Sequence, residues 1–474
     1  MDIRSIAGKY LDFGRDIRLF LAYTFLANIG FGVFTLIFNL YVYALDFRED
    51  AIGLFNSVQT FSMAATALVL GALIGRLGLW RVIFVGIIIY GLSGVGLALS
   101  TWAPAIILLS AVFGAGVAIL FTVTMPFIIE YGRPAQRTSI ATIAFSFASL
   151  SLTLGSLIGG YAPIMLSSLI PAVDSGSPAA YRSALIAGSL LGLGALLPLL
   201  RMGDARRSHR HRAAAGGGGS APMPSTTRRE RLDVGVFVAV GLITAIGAGL
   251  VVPFYNVFLQ TLGANPRQIG LIYAAGGIAA AVIGLAAPLV SRQFGSLTAV
   301  LLIRGAPLPV YLLLVLTPGV GVGVIAHVVR QVSINMAWPV DSTFASEIVT
   351  DKLRASVFGW RSAAWNLGIG LSSIAGGWII VRSGYDITFV GYVLFTAAAI
   401  ALYYIYYQRH PRVRAGEIPS ALSSKELARR VVEETEETVG TVDGVLPGTV
   451  DATESAEPVA VGANHGSNVE KGDR

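Results

Sequence analysis

The chain has 474 residues and no cysteine, and 54% of its residues are hydrophobic while only 13% are charged. About a quarter of the residues of a soluble protein are charged, so this composition excludes an ordinary soluble domain. A sequence without cysteine also excludes disulfides, thiolate metal sites and cysteine nucleophiles. The formal net charge of +7 can serve nucleic-acid binding or membrane topology, and the positions of the charges decide between them.

Charges are scarce because long apolar stretches contain none. Residues 19–45, 52–75, 104–129 and 139–166 have no Asp, Glu, Lys or Arg, and each exceeds the roughly 20 residues that a spanning helix needs. Helices are expected because hydrocarbon offers the backbone no hydrogen-bond partner. The chain is therefore predicted to be an all-α polytopic membrane protein with twelve transmembrane helices. The predicted spans are 19–45, 52–75, 79–99, 104–129, 139–166, 181–200, 233–260, 267–291, 297–317, 320–346, 355–381 and 387–407.

The lysines and arginines at or near the ends of the spans fall mostly on one side of the predicted membrane. If the N-terminus is cytoplasmic, 22 of them flank inner span ends and 4 flank outer ends. The positive-inside rule then places both termini in the cytoplasm. We expect a multi-pass protein of the cytoplasmic membrane whose basic balance reflects topology and contact with anionic lipid headgroups, and no nucleic-acid partner.

The sequence contains an internal repeat. Residues 29–39 read IGFGVFTLIFN and residues 246–256 read IGAGLVVPFYN, an offset of 246 − 29 = 217. The same offset superimposes Ile-Gly-Leu at 52–54 on 269–271 and Gly-Gly at 159–160 on 376–377, with no gap. Chance matches would not keep one alignment over that distance. The protein is therefore predicted to consist of two six-helix halves built on one template.

The repeat sets the predicted domain organisation. The parts are a cytoplasmic N-terminus (1–18), a first half (19–200), a basic flexible linker (201–232), a second half (233–407) and a mostly disordered acidic cytoplasmic tail (408–474). The linker contains GGGGS, which is typical of a flexible connection. The end of the tail is acidic and without apolar periodicity, which is typical of disorder.

Two parallel six-helix halves joined by a basic loop resemble the major facilitator superfamily over about residues 15–408. The loop after the second span of that family usually reads G-x-x-x-D-R-x-G-R-[RK]. Here Gly71, Arg76 and Gly78 fit this pattern, with Gly75 at the aspartate position. The family's role for that acid, latching the halves in the outward-facing state, is therefore not carried over. The resemblance implies a transporter with its solute site between the halves.

The resemblance and the repeat together supply candidates for motif and gating roles. Two acid–base pairs, Glu130 with Arg137 and Glu347 with Arg354, flank the loops after spans 4 and 10. They predict either salt bridges between the halves or bonds that hold each half together. The full set of candidates is Gly71, Arg76, Gly78, Arg81, Glu130, Arg137, Gly295, Glu347 and Arg354.

Parallel repeats place a solute site near the bilayer midplane, and the resemblance implies that spans 1, 4, 7 and 10 line it. On span 1, Asn28, Thr35 and Asn39 fall within an arc of roughly 40° at about 100° per residue. Asn256 is the repeat partner of Asn39, and Gln260 lies one turn further. This polar stripe either hydrogen-bonds the solute or joins helices within one half.

Span 10 carries Arg330, Asn335, Trp338 and Asp341. Charged residues inside spans are costly and usually face a cavity or a partner, so Arg330 is a candidate for an anionic group of the solute and Asp341 for proton exchange. In the alternative, Arg304 and Arg361 reach toward the membrane interface and Asp341 is their structural counter-ion. Such pairing favours ionised Asp341, a poorer proton carrier near neutral pH.

The pattern predicts a secondary transporter that moves a small solute by alternating access, with protons as the candidate coupling ion. The alternative is a non-transporting sensor or interaction protein of the same fold. An enzyme is not expected because no G-x-x-x-x-G-K-[ST] motif and no hydrolytic constellation occurs. The expected partners are the solute and the lipid bilayer; we expect no cofactor, no metal and a functional monomer.

Overall fold

The computed structural model describes residues 13–170, 173–203, 227–349 and 351–414. The predicted N-terminus up to residue 12, the linker at 204–226 and the tail from residue 415 lie outside the described residues. Within the described ranges, twelve helices are long and apolar enough to cross a membrane. The all-α, twelve-span prediction is thereby confirmed.

These helices are named α1 to α12 in chain order. Their bounds are Arg15–Ala44, Glu49–Leu77, Leu79–Leu99, Ala103–Tyr131, Ser139–Leu169, Pro178–Leu200, Arg228–Thr261, Pro266–Gly284, Ser296–Leu316, Val320–Ala345, Val357–Ser383 and Tyr385–Tyr407. α5 and α11 belong to longer helices that begin at Arg137 and Asp351, and α10 continues to Ile348.

The eighth span was predicted too long. α8 ends at Gly284 rather than at residue 291, and a separate short helix, Ala287–Phe294, follows it. That helix has a proline in its first turn, where the missing N–H leaves no helical bond unmade. The apolar residues of this short helix prolong the hydrophobic run of the sequence, but they belong to a new helix and not to α8.

Several helix starts follow from local hydrogen-bond chemistry. Thr227 and Glu230 form a capping box at the start of α7, and Asn265 and Gln268 form one at the start of α8. In each, a side chain satisfies a backbone N–H that has no partner within the helix. Ser177 caps α6 in a simpler way, by accepting from the N–H of Ala180.

Two glycines that share the repeat offset turn the chain at equivalent loops. Gly78 separates α2 from α3 with φ of 81°, and Gly295 precedes α9 with φ of 76°. Residues other than glycine rarely adopt this backbone conformation because their Cβ clashes with the backbone. The turn requires glycine twice, which explains why this residue recurs.

Packing within the two halves repeats as the sequence does. In the first half, α1 packs on α5 and α6, and α4 packs on α2 and α3. In the second half, α7 packs on α11 and α12, and α10 packs on α8 and α9. The halves meet through α2 against α11 and through α5 against α8, which are again equivalent pairs. This arrangement places a space between the halves.

Candidate functional site

A cavity of about 670 Å³ lies between the two halves, within the range of about 300–1,000 Å³ typical of ligand sites. Its lining comes from α1, α2, α4 and α5 of the first half and from α7, α8, α10 and α11 of the second. Spans 1, 4, 7 and 10 were expected, and the structure adds the other four. Among the described residues, no group of three or more His, Asp or Glu side chains could hold a metal ion.

The structure divides the predicted cavity residues into two groups. Those in the lining are Asn28, Thr35, Asn39, Asn256, Arg330 and Asn335. Gln260, Trp338 and Asp341 are not among the residues that line this cavity. Gln260 donates to the Tyr181 hydroxyl of α6 at 3.3 Å, so it is turned toward a neighbouring helix.

One end of the cavity is closed by hydrogen bonds between residues that are related by the 217-residue offset. Asn39 Nδ2 donates to the carbonyl of Pro253 at 2.5 Å, and Asn256 Nδ2 donates to the carbonyl of Leu36 at 2.7 Å. Both donors and both acceptors are repeat partners, since 39 + 217 = 256 and 36 + 217 = 253. Asn39 Oδ1 also accepts from Asn56 Nδ2 at 2.9 Å. Asn39 of the polar stripe therefore joins the two halves, an option that the sequence did not suggest, whereas Asn28 and Thr35 donate to the carbonyls of Thr24 and Gly32 within α1.

Glycines bring the halves together on both sides of these asparagines. A Cβ added at Gly53 of α2 would collide with the carbonyl oxygen of Ser373 in α11. At the repeat-equivalent position, a Cβ on Gly270 of α8 would collide with the carbonyl oxygen of Ser156 in α5. Backbone therefore lies directly on backbone, as small residues permit at helix crossings.

The second pair of repeated glycines forms the same kind of crossing. A Cβ on Gly160 would meet the carbonyl of Pro266, and one on Gly377 would meet the carbonyl of Glu49. These acceptors are again repeat partners, since 49 + 217 = 266. The residues related by the 217-residue offset thus make equivalent contacts about a pseudo-twofold axis that passes through the closed end.

The closed end has further contacts between the halves near the surface. Tyr385 donates to the Glu49 carboxylate at 2.8 Å, and Arg267 donates to the Tyr161 hydroxyl at 3.0 Å. These contacts lie toward the α1–α2 and α7–α8 loops. In the other direction the cavity lining extends to Thr24 of α1 and Phe145 of α5. The cavity therefore deepens toward the end that holds the α2–α3 and α4–α5 loops.

Arg330 borders the cavity and is 97% shielded from solvent, with 3% of its surface exposed. Its Nη2 lies 3.3 Å from His327 Nδ1, and its guanidinium carbon lies 5.4 Å from the centre of the Tyr255 ring. The His327 ring in turn packs on Tyr273 at 4.3 Å. A cation–π contact contributes about 2 kcal/mol when desolvated. The contact with Tyr255 holds the Arg330 guanidinium in place without neutralising its charge.

Asp341 is fully buried in a separate cluster toward α9 and α11. One carboxylate oxygen accepts from both Arg304 and Arg361, the latter at 2.5 Å. Arg304 also donates to the Thr244 hydroxyl of α7 at 2.7 Å, and the Arg361 guanidinium lies 4.9 Å from the Trp338 ring. The cluster thus ties four helices of the second half together, and two arginines against one aspartate leave it net positive.

Sequence reasoning missed part of the cavity lining. The additional polar residues include Asn56, Gln59, Thr60, Thr153, Ser156, Tyr273, His327, Gln331 and Ser373. Asn56, Gln59 and Thr60 interrupt an apolar span at i, i+3 and i+4, which places them on one helical face. The same signal singled out Asn28 and Asn39 on the first span and could have found these residues.

A sequence profile of the Major Facilitator Superfamily matches residues 20–335 and 324–440. The chain belongs to the major facilitator superfamily. No curated protein matches the chain at significant similarity.

Solved structures of superfamily members share the fold. The nucleoside transporter NupG has a TM-score of 0.66 at 15% identity, covering 83% of this chain and 98% of that one. A bacterial homologue of the human lysosomal transporter Spinster, in an inward-facing occupied conformation, has 0.64 at 15%, covering 84% and 97%. The xylose transporter XylE from E. coli, partially occluded and inward open, has 0.62 at 14%, covering 83% and 98%.

The superfamily loop residues lie where the repeat predicts but make few described contacts. Arg76 and Arg81 are exposed beside the turn at Gly78, and Gly71 is half-buried in α2. With glycine at the family's acidic position, the first of these loops has no carboxylate there. Gly78 makes the turn in this loop, and Gly295 does so in the second half.

The contacts of the first gating pair lie within one half, and the side chain of only one member of the second pair is described. Arg137 donates to the backbone carbonyls of Ile129 and Gly132, at 2.7 and 3.3 Å, rather than to the exposed Glu130 carboxylate. Glu347 accepts from the Ser296 hydroxyl at 3.2 Å, and burial raises the pKa of its carboxyl. The side chain of Arg354 lies outside the described residues. The bonds of Arg137 hold together its own loop.

Proposed function

We propose that this protein is a secondary transporter that carries a small solute across the cytoplasmic membrane by alternating access. The observation that carries the proposal is the cavity between the halves, closed at one end by a repeat-symmetric interface. Two similar halves that meet at one end can rock about a shared axis, which closes one end as it opens the other. A monomer contains the whole cavity, so we propose that the monomer is the functional unit.

The charge distribution supports an orientation. With 22 Lys and Arg residues at inner ends against 4 at outer ends, the termini are assigned to the cytoplasm. The closed end then faces outward, and the described conformation is inward-facing. The solved Spinster homologue and XylE structures, which share the fold, are named as inward-facing and inward open.

Proton coupling is the finer part of the proposal. Asp341 is a fully buried carboxylate of α10, and it is shared by two arginines, Arg304 and Arg361. This supports a structural role in the described conformation, with proton exchange requiring release from the arginines in another. The Asp341→Asn variant tests it: a pH profile of transport equal to that of the wild type removes Asp341 as the proton carrier, whereas a flattened profile assigns it that role.

Uptake by purified protein in liposomes is the direct test of transport. A panel of sugars, nucleosides, amino acids and organic acids is offered, and Gly53→Leu serves as the impaired variant because it obstructs the closed interface. Gly235→Leu is the matched control, since a Cβ at Gly235 meets nothing within 4 Å. Solute uptake by the wild type and the control supports the proposal. Binding without uptake would favour the sensor instead.

Orientation is tested with one introduced thiol, because the natural chain has no cysteine. Thr35→Cys places that thiol in the cavity lining. A membrane-impermeant maleimide is expected to label it faster from the cytoplasmic face of inside-out vesicles than from the external face of intact cells. Faster labelling from outside would contradict the orientation.

A further inference from the structure

The cavity lining carries one permanent charge. Arg330 is the single Lys or Arg among the described lining residues, and no Asp or Glu is among them. The other polar groups are amides, hydroxyls and the His327 imidazole. A buried cation without a carboxylate partner is expensive in a medium of low dielectric constant, so the site favours an occupant that supplies negative charge.

Contacts within the described protein do not supply that charge. Arg330 Nε is buried and has no hydrogen-bond partner, and Nη2 contacts a histidine ring nitrogen. The nearest carboxylate in sequence on the same helix, Asp341, is eleven residues away, or about 16 Å along the axis at 1.5 Å per residue. Asp341 is also already shared by two other arginines. The guanidinium therefore keeps an unused donor and an uncompensated charge at the cavity wall.

The opposite wall of the cavity is aromatic. Phe34 and Phe38 of α1 stack with ring centres 4.8 Å apart, and Phe31 meets Phe121 of α4 edge-on at 5.2 Å. All four belong to the lining. A solute that reaches from this wall to Arg330 needs an apolar or aromatic body at one end and an anionic group at the other.

We propose that the solute is an organic monocarboxylate, bound through its carboxylate to Arg330 and through its body to the aromatic wall of the first half. This inference rests on the proposed transport function and names its substrate class. A guanidinium offers two parallel N–H donors that match a carboxylate. One arginine balances one carboxylate charge, whereas a phosphate monoester carries about −1.5 to −2 at pH 7 and would leave an excess.

The test uses three probes with one body: 2-naphthoate, 2-naphthamide and 2-naphthyl phosphate. Binding to the purified full-length protein is measured by calorimetry. We expect naphthoate to bind about tenfold to a hundredfold more tightly than naphthamide, the range for a hydrogen bond to a charged group. Arg330→Gln should abolish this preference, and Arg330→Lys should keep part of it, since the charge remains without the fork. Arg382→Gln, which removes an exposed arginine of the same half, should leave the preference unchanged.

Several outcomes would overturn the inference. They are equal binding of naphthoate and naphthamide, tighter binding of the phosphate, a preference that survives Arg330→Gln, and no binding of any probe. Uptake of the same probes into liposomes separates the two proposals. Arg330-dependent binding of naphthoate without uptake leaves the anion site standing and removes transport. Uptake of neutral solutes only, without naphthoate binding, does the reverse.

Discussion

The closed end of the cavity and the buried charges of the second half follow different rules. At the closed end, the asparagine and glycine contacts of one half have repeat partners in the other: Asn39 with Asn256, and Gly53 with Gly270. Among the buried charges the repeat is broken. The positions equivalent to Arg330 and Asp341 are Phe113 and Thr124, since 330 − 217 = 113 and 341 − 217 = 124.

This difference indicates two separate demands on the chain. The two halves are similar bundles related by a pseudo-twofold axis. Contacts across that axis can therefore be made by the same residue types on both sides. Recognition of a solute has no such symmetry, because a small molecule presents different groups to the two walls. The first half offers aromatic rings and amides, and the second half offers Arg330. Mutations at the two kinds of position should therefore behave differently.

The largest effect is expected in the buried charge cluster of the second half, which has no counterpart in the first. Asp341→Asn leaves Arg304 and Arg361 buried without their counter-ion, and removing one partner from a buried ion pair costs about 3–5 kcal/mol. We expect this loss in the free energy of unfolding of the detergent-purified protein. Asp386→Asn is the control, because Asp386 is exposed at the start of α12. A change within about 0.5 kcal/mol would show that the cluster does not stabilise the fold.

The second effect concerns the glycine crossings. Gly53→Leu and Gly270→Leu each force a side chain against a facing carbonyl, and overpacking of this kind costs about 1–3 kcal/mol. The closed end should open, so a thiol at Thr35→Cys should label at least about tenfold faster from outside. Symmetry predicts similar accelerations for the two variants. Acceleration by one alone would contradict the equivalence of the two crossings, and Gly235→Leu should accelerate neither.

A smaller effect is expected for the asparagine pair. Asn39→Ala and Asn256→Ala each remove one hydrogen bond between the halves, worth about 0.5–1.5 kcal/mol. External labelling should rise by about twofold to tenfold and by the same factor in both. Asn366→Ala is the control, because Asn366 donates to Ser362 within α11. If the labelling rates of the two variants differ by more than the measured error, the two hydrogen bonds are not equivalent.

The smallest effect concerns the pH dependence of stability. Burial raises the pKa of Glu347 in the folded state, so the unfolded chain releases this proton at a lower pH than the folded protein. Stability therefore falls as pH rises from the ordinary glutamate pKa of 4.5 to the raised value. Glu347→Gln should flatten this part of the profile. Glu130→Gln removes the repeat-equivalent, exposed carboxylate, and a similar flattening there would contradict burial as the cause.

The candidate site could be predicted only in part from the sequence. Asn28, Asn39, Asn256 and Arg330 were placed at the cavity because polar residues in apolar spans seldom face lipid. Gln260 fits the same pattern, yet it points to Tyr181 of α6. The sequence of one helix defines its polar face but not the neighbour that this face meets. The carbonyl acceptors of the two asparagines were also beyond sequence reasoning, since every residue has such a group.

The sequence by itself determined the twelve helices, the two halves and the unequal distribution of charge. These features are local, because a helix satisfies its own backbone hydrogen bonds and an apolar run selects the membrane. Only the tertiary structure decided that the repeated glycines cross between the halves, that the repeated asparagines close one end, and that Asp341 and Arg330 serve separate sites. Those outcomes depend on which helices pack together, and contacts such as Asn39 to Pro253 join residues 214 positions apart.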